Sequence, residues 1–198
     1  MRIIISGHKG FIGEHMVRNL KLFYPKKDLI FLKKKDFDNP TKLTSKIKKN
    51  DFIFHLAGVN IASEGEDLFD SNYKINYSLF LALKKVKFSG VMFFSSSLKE
   101  KTNSIYGKAK KEGRKMFEKL SSELNFKFNC LQIPNVYGPF CKPNYNSFIA
   151  TFSYNLINKI PVKIIEDNNI NLIYVDDLID ILLKSIEDPN AKIDIKQN

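Results

Sequence analysis

The sequence predicts an α/β protein built on a doubly wound parallel sheet, and three observations carry that expectation. Short apolar runs alternate with helical patterns along most of the chain. The strand candidates are continuously hydrophobic rather than alternating, which is how strands covered on both faces read. Three glycines follow the first apolar run and open the first helical one, the position at which such a sheet takes hold of a phosphate.

In order, RIIIS is a strand entering the glycine turn and FIGEHMVRNLKLF is the first helix. LIFL, the helix TKLTSKIKK, the strand and turn DFIFHLAG and the helix NYSLFLALKKV follow. The strand VMFFSSS, the helix YGKAKKEGRKMFEKLSSEL and the strand FKFNCLQI complete the alternation, with right-handed crossovers expected throughout. Beyond Ile133 the rhythm changes. A loop rich in Asn, Pro and Tyr leads to a helix near Ser147 to Asn158, a short strand PVKII, a second strand NLIYV and a helix through Leu178 to Ile186. That tail reads as an addition to the nucleotide domain. The expected organisation is one nucleotide-binding domain over 1–198, with partial substrate-binding segments near 135–160 and 175–198.

A chain of 198 residues suits one globular unit with a core of its own. A hydrophobic content of 43%, with seven prolines and nine glycines, is ordinary for folded protein. MRIIISG lacks the length and cleavage site of a secretory signal, and no apolar stretch is long enough to span a bilayer, so no membrane partner is expected. Cys130 and Cys141 make neither a disulfide framework nor a metal-ligand spacing, which points to a reducing cytoplasm and no metal. The formal charge of +11 comes from lysines spread over nearly every helix. That is a solvated surface with a general affinity for anions such as nucleotides and phosphosugars. No aromatics interleave with the lysines as stacking partners, so no specific nucleic-acid partner is expected.

Within ISGHKGFIGEH, Gly7 allows the tight turn, Gly10 admits the backbone to a pyrophosphate, and Gly13 lets helix and strand pack closely. Phe11 and Ile12 begin the helix whose free N–H donors and positive dipole end face the phosphates. The spacing is GxxGxxG, and it resembles that of the short-chain dehydrogenase/reductase superfamily. GHKGFIG resembles the extended branch that acts on nucleotide sugars, so a Rossmann-like sheet with a small, incomplete substrate-binding portion is implied. Lys33, with Lys34 next, stands where an acid normally grips the adenosine ribose. Ammonium groups there suit a 2′-phosphate, so NADP(H) is favoured and NAD(H) is the alternative. Asp36 resembles the family acid that meets the adenine amino group. Leu56, Ala57 and Gly58 of HLAG are similar to the small-residue turn that follows the family's fourth strand and lies against the cofactor.

Tyr106 and Lys110 form YxxxK, which sets both on one helix face about a turn apart. An ammonium beside a phenol favours the phenolate, so the tyrosine pKa is expected to fall toward working pH. The resemblance puts Ser97 of FFSSS in the catalytic place and Ser96 beside the nicotinamide, leaving Ser95 structural. Asn76 in NYKINYSLF resembles a helix asparagine near the active site; a polar residue opening a helix is the plainer reading. IPNVYGP is similar to the segment after the family's sixth strand, which implies that Asn135 contacts substrate and Ile133 lies along the nicotinamide. Gln132 stands where the family usually has arginine.

PNVYGPFCKPNYNSFIATF and NLIYVDDLID narrow the resemblance to bacterial capsule and O-antigen reductases acting on UDP-2-acetamido-2,6-dideoxy-hexos-4-ulose. What this implies is hydride transfer to C4 of the keto sugar, with Tyr106 donating a proton, Lys110 holding the cofactor ribose and Ser97 orienting the carbonyl. Asn144 and Asn146 become candidate substrate contacts, while Asp176 and Asp177 are expected to cap and brace the last helix. Members of that group continue with more sugar-binding sequence and a cupin domain associated with C3 epimerisation, so that second activity is not expected here. A 4-epimerase or dehydratase of the same family shares most motifs. Leu98 and Lys99 replace the Asp-Glu pair of a dehydratase, and Lys33 replaces the acid of an epimerase. A catalytically silent NAD(P)-binding fragment is the alternative of another class. The resemblance also implies a homodimer through the YxxxK helix and its neighbour.

Overall fold

A computed structural model describes residues 1–61, 67–164 and 169–189. The chain divides into two compact units, 1–132 and 133–198. The first begins with β1 (Arg2–Ser6), α1 (Phe11–Phe23), β2 (Asp28–Leu32) and the short helices α2 (Lys34–Phe37) and α3 (Pro40–Lys46). It continues with β3 (Phe52–His55), α4 (Leu68–Lys85), β4 (Val91–Ser97), a 3-10 turn (Leu98–Lys101), α5 (Ile105–Leu124) and β5 (Lys127–Ile133).

The sheet runs β2-β1-β3-β4-β5, with β1 parallel to both β2 and β3. From β1 the chain steps outward to β2 and then crosses back to β3, so the topological switch lies between β1 and β3. Ligands of such sheets bind in the crevice outside the strand ends at that point. Ser6 is level with Leu32 on one side and His55 on the other. The glycine loop, Lys33 and Leu56 therefore leave the sheet at one edge.

The strands are buried because their residues are apolar on both faces. Ile4, Ile53, Met92 and Phe94 pack with Leu79 and Leu83 of α4 and Phe117 and Leu120 of α5. Ring centroids of Phe52, Phe54 and Phe93 lie 5.2 Å apart in the opposite layer. Burial of each such side chain contributes about 1.5–3 kcal/mol. α4 starts earlier than NYSLFLALKKV because Asp67 caps it, accepting from the Asp70 N–H at 2.9 Å. Ser104 caps α5 through the Gly107 N–H at 3.1 Å. FIFH is the third strand and FKFNCLQI the fifth, so HLAG and IPN follow those strands and not a fourth and sixth. Two short helices lead directly from β2 to β3 with no strand between.

The second unit contains β6 (Asn135–Tyr137), α6 (Phe148–Ile157), β7 (Leu172–Tyr174) and α7 (Val175–Glu187). The strand expected over PVKII is not formed in 161–164, where Ile164 is exposed. The partner of β7 is NVY, read from sequence as loop: Asn135, Val136 and Tyr137 pair with Leu172, Ile173 and Tyr174. Three residues are too few for periodicity to register. α7 begins at Val175, three residues before Leu178, and buries Val175, Leu178, Ile179, Leu182, Leu183 and Ile186, a helical stripe. Tyr174 is its N-cap, so Asp176 and Asp177 do not cap it; they stand exposed in the first turn, where the helix dipole favours carboxylates. The end of the segment read as 175–198 lies outside the described residues. Among the described residues no helix is long and apolar enough to cross a membrane.

Candidate active site

Gly7 adopts φ +71°, and the Gly10 N–H bonds back to its carbonyl at 2.9 Å, closing a tight turn after β1. A side chain has no room there, since a Cβ on Gly7 would lie 2.7 Å from the Ala57 nitrogen. A Cβ on Gly13 would come within 2.1 Å of the Gly7 carbonyl oxygen, so α1 sits directly on the loop. Gly10 is the N-cap of α1 and gives no side-chain cap, which leaves the first-turn donors at Phe11 and Ile12 for an anion. His8 stacks on Phe31 with centroids 4.9 Å apart, and its buried Nδ1 has no hydrogen-bond partner.

Lys33 and Lys34 are exposed at the end of β2. The Lys33 backbone N–H donates to Asp36 Oδ2 at 2.7 Å, and Lys46 Nζ lies 2.6 Å from the same oxygen. Burial alone would raise the Asp36 carboxyl, but the Lys46 ammonium, the Lys33 N–H and Lys42 outweigh it and hold it below its ordinary range. Its buried Oδ1 accepts no hydrogen bond, although Lys42 Nζ is 3.8 Å away. A cradle without side chains, uncapped helix donors and two orphaned buried polar atoms at one sheet edge fit a dinucleotide.

Beneath the loop runs a buried chain of hydrogen bonds. The Ala57 N–H donates to Ser6 Oγ at 3.1 Å, the Ser6 hydroxyl donates to His55 Nδ1 at 2.6 Å, and His55 Nε2 donates to Asn76 Oδ1 at 3.0 Å. Burial pushes His55 down to about 3, so it is neutral and this tautomer satisfies both nitrogens. Asn76 thus holds His55 from α4, a partner its sequence context did not reveal. Because the unfolded chain takes up a proton near the ordinary value of 6.5 and the folded one does so only near 3, stability is lost as pH falls through that window. The expected slope from this group is about 1.4 kcal/mol per pH unit. Denaturant unfolding at several pH values checks it, and His55→Gln flattens that dependence; an equally steep curve in the variant contradicts the assignment.

Lys110, 4% exposed, reaches from α5 to the end of β4, where Nζ donates to the Ser95 carbonyl at 2.8 Å. Nζ also lies against Gly58, 2.9 Å from where a Cβ would stand, and 5.6 Å from the centroid of the Tyr106 ring. Burial pulls Lys110 down to about 8 and pushes Tyr106 up to about 12. The expected fall of the tyrosine pKa is therefore reversed: desolvation of the phenolate dominates at this separation. Ser97 is half-buried and opens the 3-10 turn, its Oγ accepting from the Lys99 N–H at 3.2 Å. Ser95 Oγ donates to the His55 carbonyl at 3.1 Å, and Ser96 Oγ donates to Glu100.

The strand ends thus bring together the glycine loop, Leu56 to Gly58, the β4 serines and Lys110. Two residues that the sequence reading missed hold this arrangement. Asn72 fixes the turn after Gly58 by accepting from the Val59 N–H at 3.0 Å and donating to the Val59 and Leu68 carbonyls at 2.9 and 2.8 Å. Two asparagines four apart on the inner face of α4 were the available signal. Glu100 is buried and pairs with Arg114 at 2.8 Å. Ile133 at the end of β5 is buried, while Asn135 and Asn146 of the second unit are exposed. The Asn135 N–H donates to the Asn171 carbonyl at 3.1 Å. Asn144 has φ +54°, with its N–H bonded to Thr151 Oγ1 at 2.9 Å. Among the described residues no cluster of three or more His, Cys, Asp or Glu forms a metal site.

The model of the NAD dependent epimerase/dehydratase family matches residues 3–196. The chain belongs to this family. A UDP-2-acetamido-2,6-beta-L-arabino-hexul-4-ose reductase of Pseudomonas aeruginosa is 29% identical over 94% of this chain. The chain spans 50% of that relative's length. The capsular polysaccharide assembling protein CapF of Staphylococcus aureus superposes over 97% of this chain and 50% of its own, with a TM-score of 0.74 and 26% identity. A UDP-glucose 4-epimerase of Thermotoga maritima shares the fold at a TM-score of 0.79 and 22% identity, over 94% of this chain and 74% of its own.

Proposed function

We propose that this member of the epimerase/dehydratase family is a cytoplasmic NADP(H)-dependent reductase of the 4-keto group of a UDP-linked deoxy amino sugar, acting in surface polysaccharide synthesis. The observation that carries this reading is the buried Lys110 ammonium beside Tyr106 and Gly58, at the strand ends where a dinucleotide fits. The likeness to a reductase of a 4-keto UDP sugar supplies the substrate class. When bound, the cofactor supplies hydride to the carbonyl carbon. Gly7, Gly10, Phe11, Ile12 and Gly13 would hold its pyrophosphate, Asp36 the adenine, and Leu56 to Gly58, Ser96 and Ile133 its other end.

In that reaction Ser97 orients the keto oxygen and Tyr106 donates a proton as the alkoxide develops. A phenol with its pKa near 12 is protonated at working pH, which suits a donor. Lys110 binds the ribose hydroxyls and offsets the phenolate charge left behind. Its value of about 8 means that this assistance fades as pH rises through that point. Asn135, Asn144 and Asn146 of the second unit would contact the sugar nucleotide.

Selectivity for the phosphorylated cofactor would rest on Lys33 and Lys34. NADPH and NADH oxidation by UDP-2-acetamido-2,6-dideoxy-hexos-4-ulose tests both the reaction and the preference. Lys33→Ala is expected to raise KM for NADPH about tenfold, the worth of one charge-assisted bond, and to leave that for NADH unchanged. Equal effects on both cofactors would remove the lysine from the selectivity argument. One alternative is a unit that holds NADPH without turning it over. Binding without oxidation would establish that one.

We infer also that two copies pair through α4 and α5. Phe69, Tyr73, Tyr77 and Phe80 form a ladder along α4 with successive centroids 6.3, 5.7 and 5.9 Å apart. Tyr73 and Tyr77 are 41% and 42% exposed, beside Met116 of α5. An exposed aromatic strip of this kind marks an interface.

A further inference from the structure

Glu100 lies in the 3-10 turn between the β4 serines and the helix that bears Tyr106 and Lys110, yet it is buried. A carboxylate in such a place needs partners on both oxygens. It has them: Oε1 accepts from Ser96 Oγ, and Oε2 accepts from Arg114 Nε at 2.8 Å. Arg114 is one helical turn beyond Lys110 and is itself held by both carboxylate oxygens of Glu118 at 2.9 Å. One side chain therefore ties the end of β4 to α5.

Its charge has a second consequence. The groups around Lys110 are His55 from β3, Asn72 from α4, Tyr106 from its own helix, Cys130 from β5 and Glu100 from the turn. His55 is neutral, Asn72 carries no charge, and burial pushes the Tyr106 phenol and the Cys130 thiol up to about 12, so both are uncharged at neutral pH. Arg114 and Glu118 face Glu100 and Cys130. Of the two groups that favour the charged form of Lys110, Cys130 and Glu100, the thiol is uncharged at neutral pH, which leaves the Glu100 carboxylate.

We infer that Glu100 is a positioning residue of the site, setting the serine strand against α5 through Ser96 and Arg114 and keeping the Lys110 ammonium charged. This rests on the proposed role of Lys110, but it is read without turnover. Lysine side-chain nitrogen NMR, with the Lys110 signal assigned by its loss in Lys110→Arg, follows the titration directly. In Glu100→Gln the midpoint is expected to move below the wild-type value by about half a unit or more, the size of one lost neighbouring charge. Glu100→Asp, which keeps the charge and shortens the reach, is expected to hold the midpoint while lowering kcat more than it changes KM for NADPH.

Should Glu100→Gln not fold, the double variant Glu100→Gln with Arg114→Met removes both charges together and leaves neither buried alone. Because loss of the Arg114 cation acts in the opposite sense, its midpoint is compared with that of Arg114→Met alone and is expected to lie below it. A midpoint equal to that of its Glu100-bearing reference, wild type or Arg114→Met, in a folded protein lacking the Glu100 charge overturns the inference. Absence of keto-sugar reduction in the wild type overturns the reductase reading instead, and leaves the titration result standing.

Discussion

Tyr106→Phe is expected to lower keto-sugar reduction by about 10²–10⁴-fold, the usual contribution of a positioned proton donor, while NADPH still binds. The substitution removes one oxygen and leaves the ring that Lys110 faces at 5.6 Å. The Lys110 bond to the Ser95 carbonyl is untouched, as are the glycine loop and the Asn72 clamp. Loss of turnover with retained cofactor binding is thus specific to the phenol. The measurement is NADPH oxidation followed by absorbance, beside a direct NADPH titration of the same preparation. Turnover at the wild-type rate in the variant would exclude Tyr106 as the acid and with it the proposed division of roles.

Gly13→Ala is expected to destabilise the protein by about 1–3 kcal/mol and to abolish measurable NADPH affinity. Its Cβ would stand 2.1 Å from the Gly7 carbonyl oxygen and 2.8 Å from the His8 Cα, all backbone, so relief requires the loop itself to move. That movement takes the Gly7 turn off Leu56 and Ala57, where there is also no slack. Gly10→Ala supplies the contrast. Its Cβ would meet the Gly7 oxygen at 3.3 Å, a crowding of a few tenths of an ångström. Thermal unfolding and cofactor titration of the two variants should separate them clearly. Similar mild behaviour in both would mean that α1 does not rest on the loop as described.

The alternation of buried strands and amphipathic helices was legible because each four- to seven-residue strand of the sheet leaves a continuous apolar run and each helix beyond three turns a periodic trace. β6 left none, being three residues long and specified by its partner β7, far along the chain. The tyrosine pKa went the other way from the sequence expectation for a related reason. Spacing fixes that Tyr106 and Lys110 share a helix face; it does not report how much water the fold removes from each. Asn72 and Glu100 were illegible as site supports because their partners are a backbone turn and an arginine fourteen residues away. The glycines were readable in place, but only the structure shows that Gly13 is tighter than Gly10.

The bonds around Asp36 bear on how cofactor choice can drift. Asp36 is held by the main-chain N–H of Lys33 and by the ammonium groups of Lys46 and Lys42, while the Lys33 side chain is exposed. The turn after β2 is therefore committed through backbone, and the side chain above it is free to vary. On the proposed role of Lys33, mutation at position 33 would change which dinucleotide is preferred without unmaking the turn, whereas mutation at position 36 would touch the scaffold as well. On that proposal, selectivity and foldability rest on separate positions three residues apart, so the first can be altered while the second is left intact.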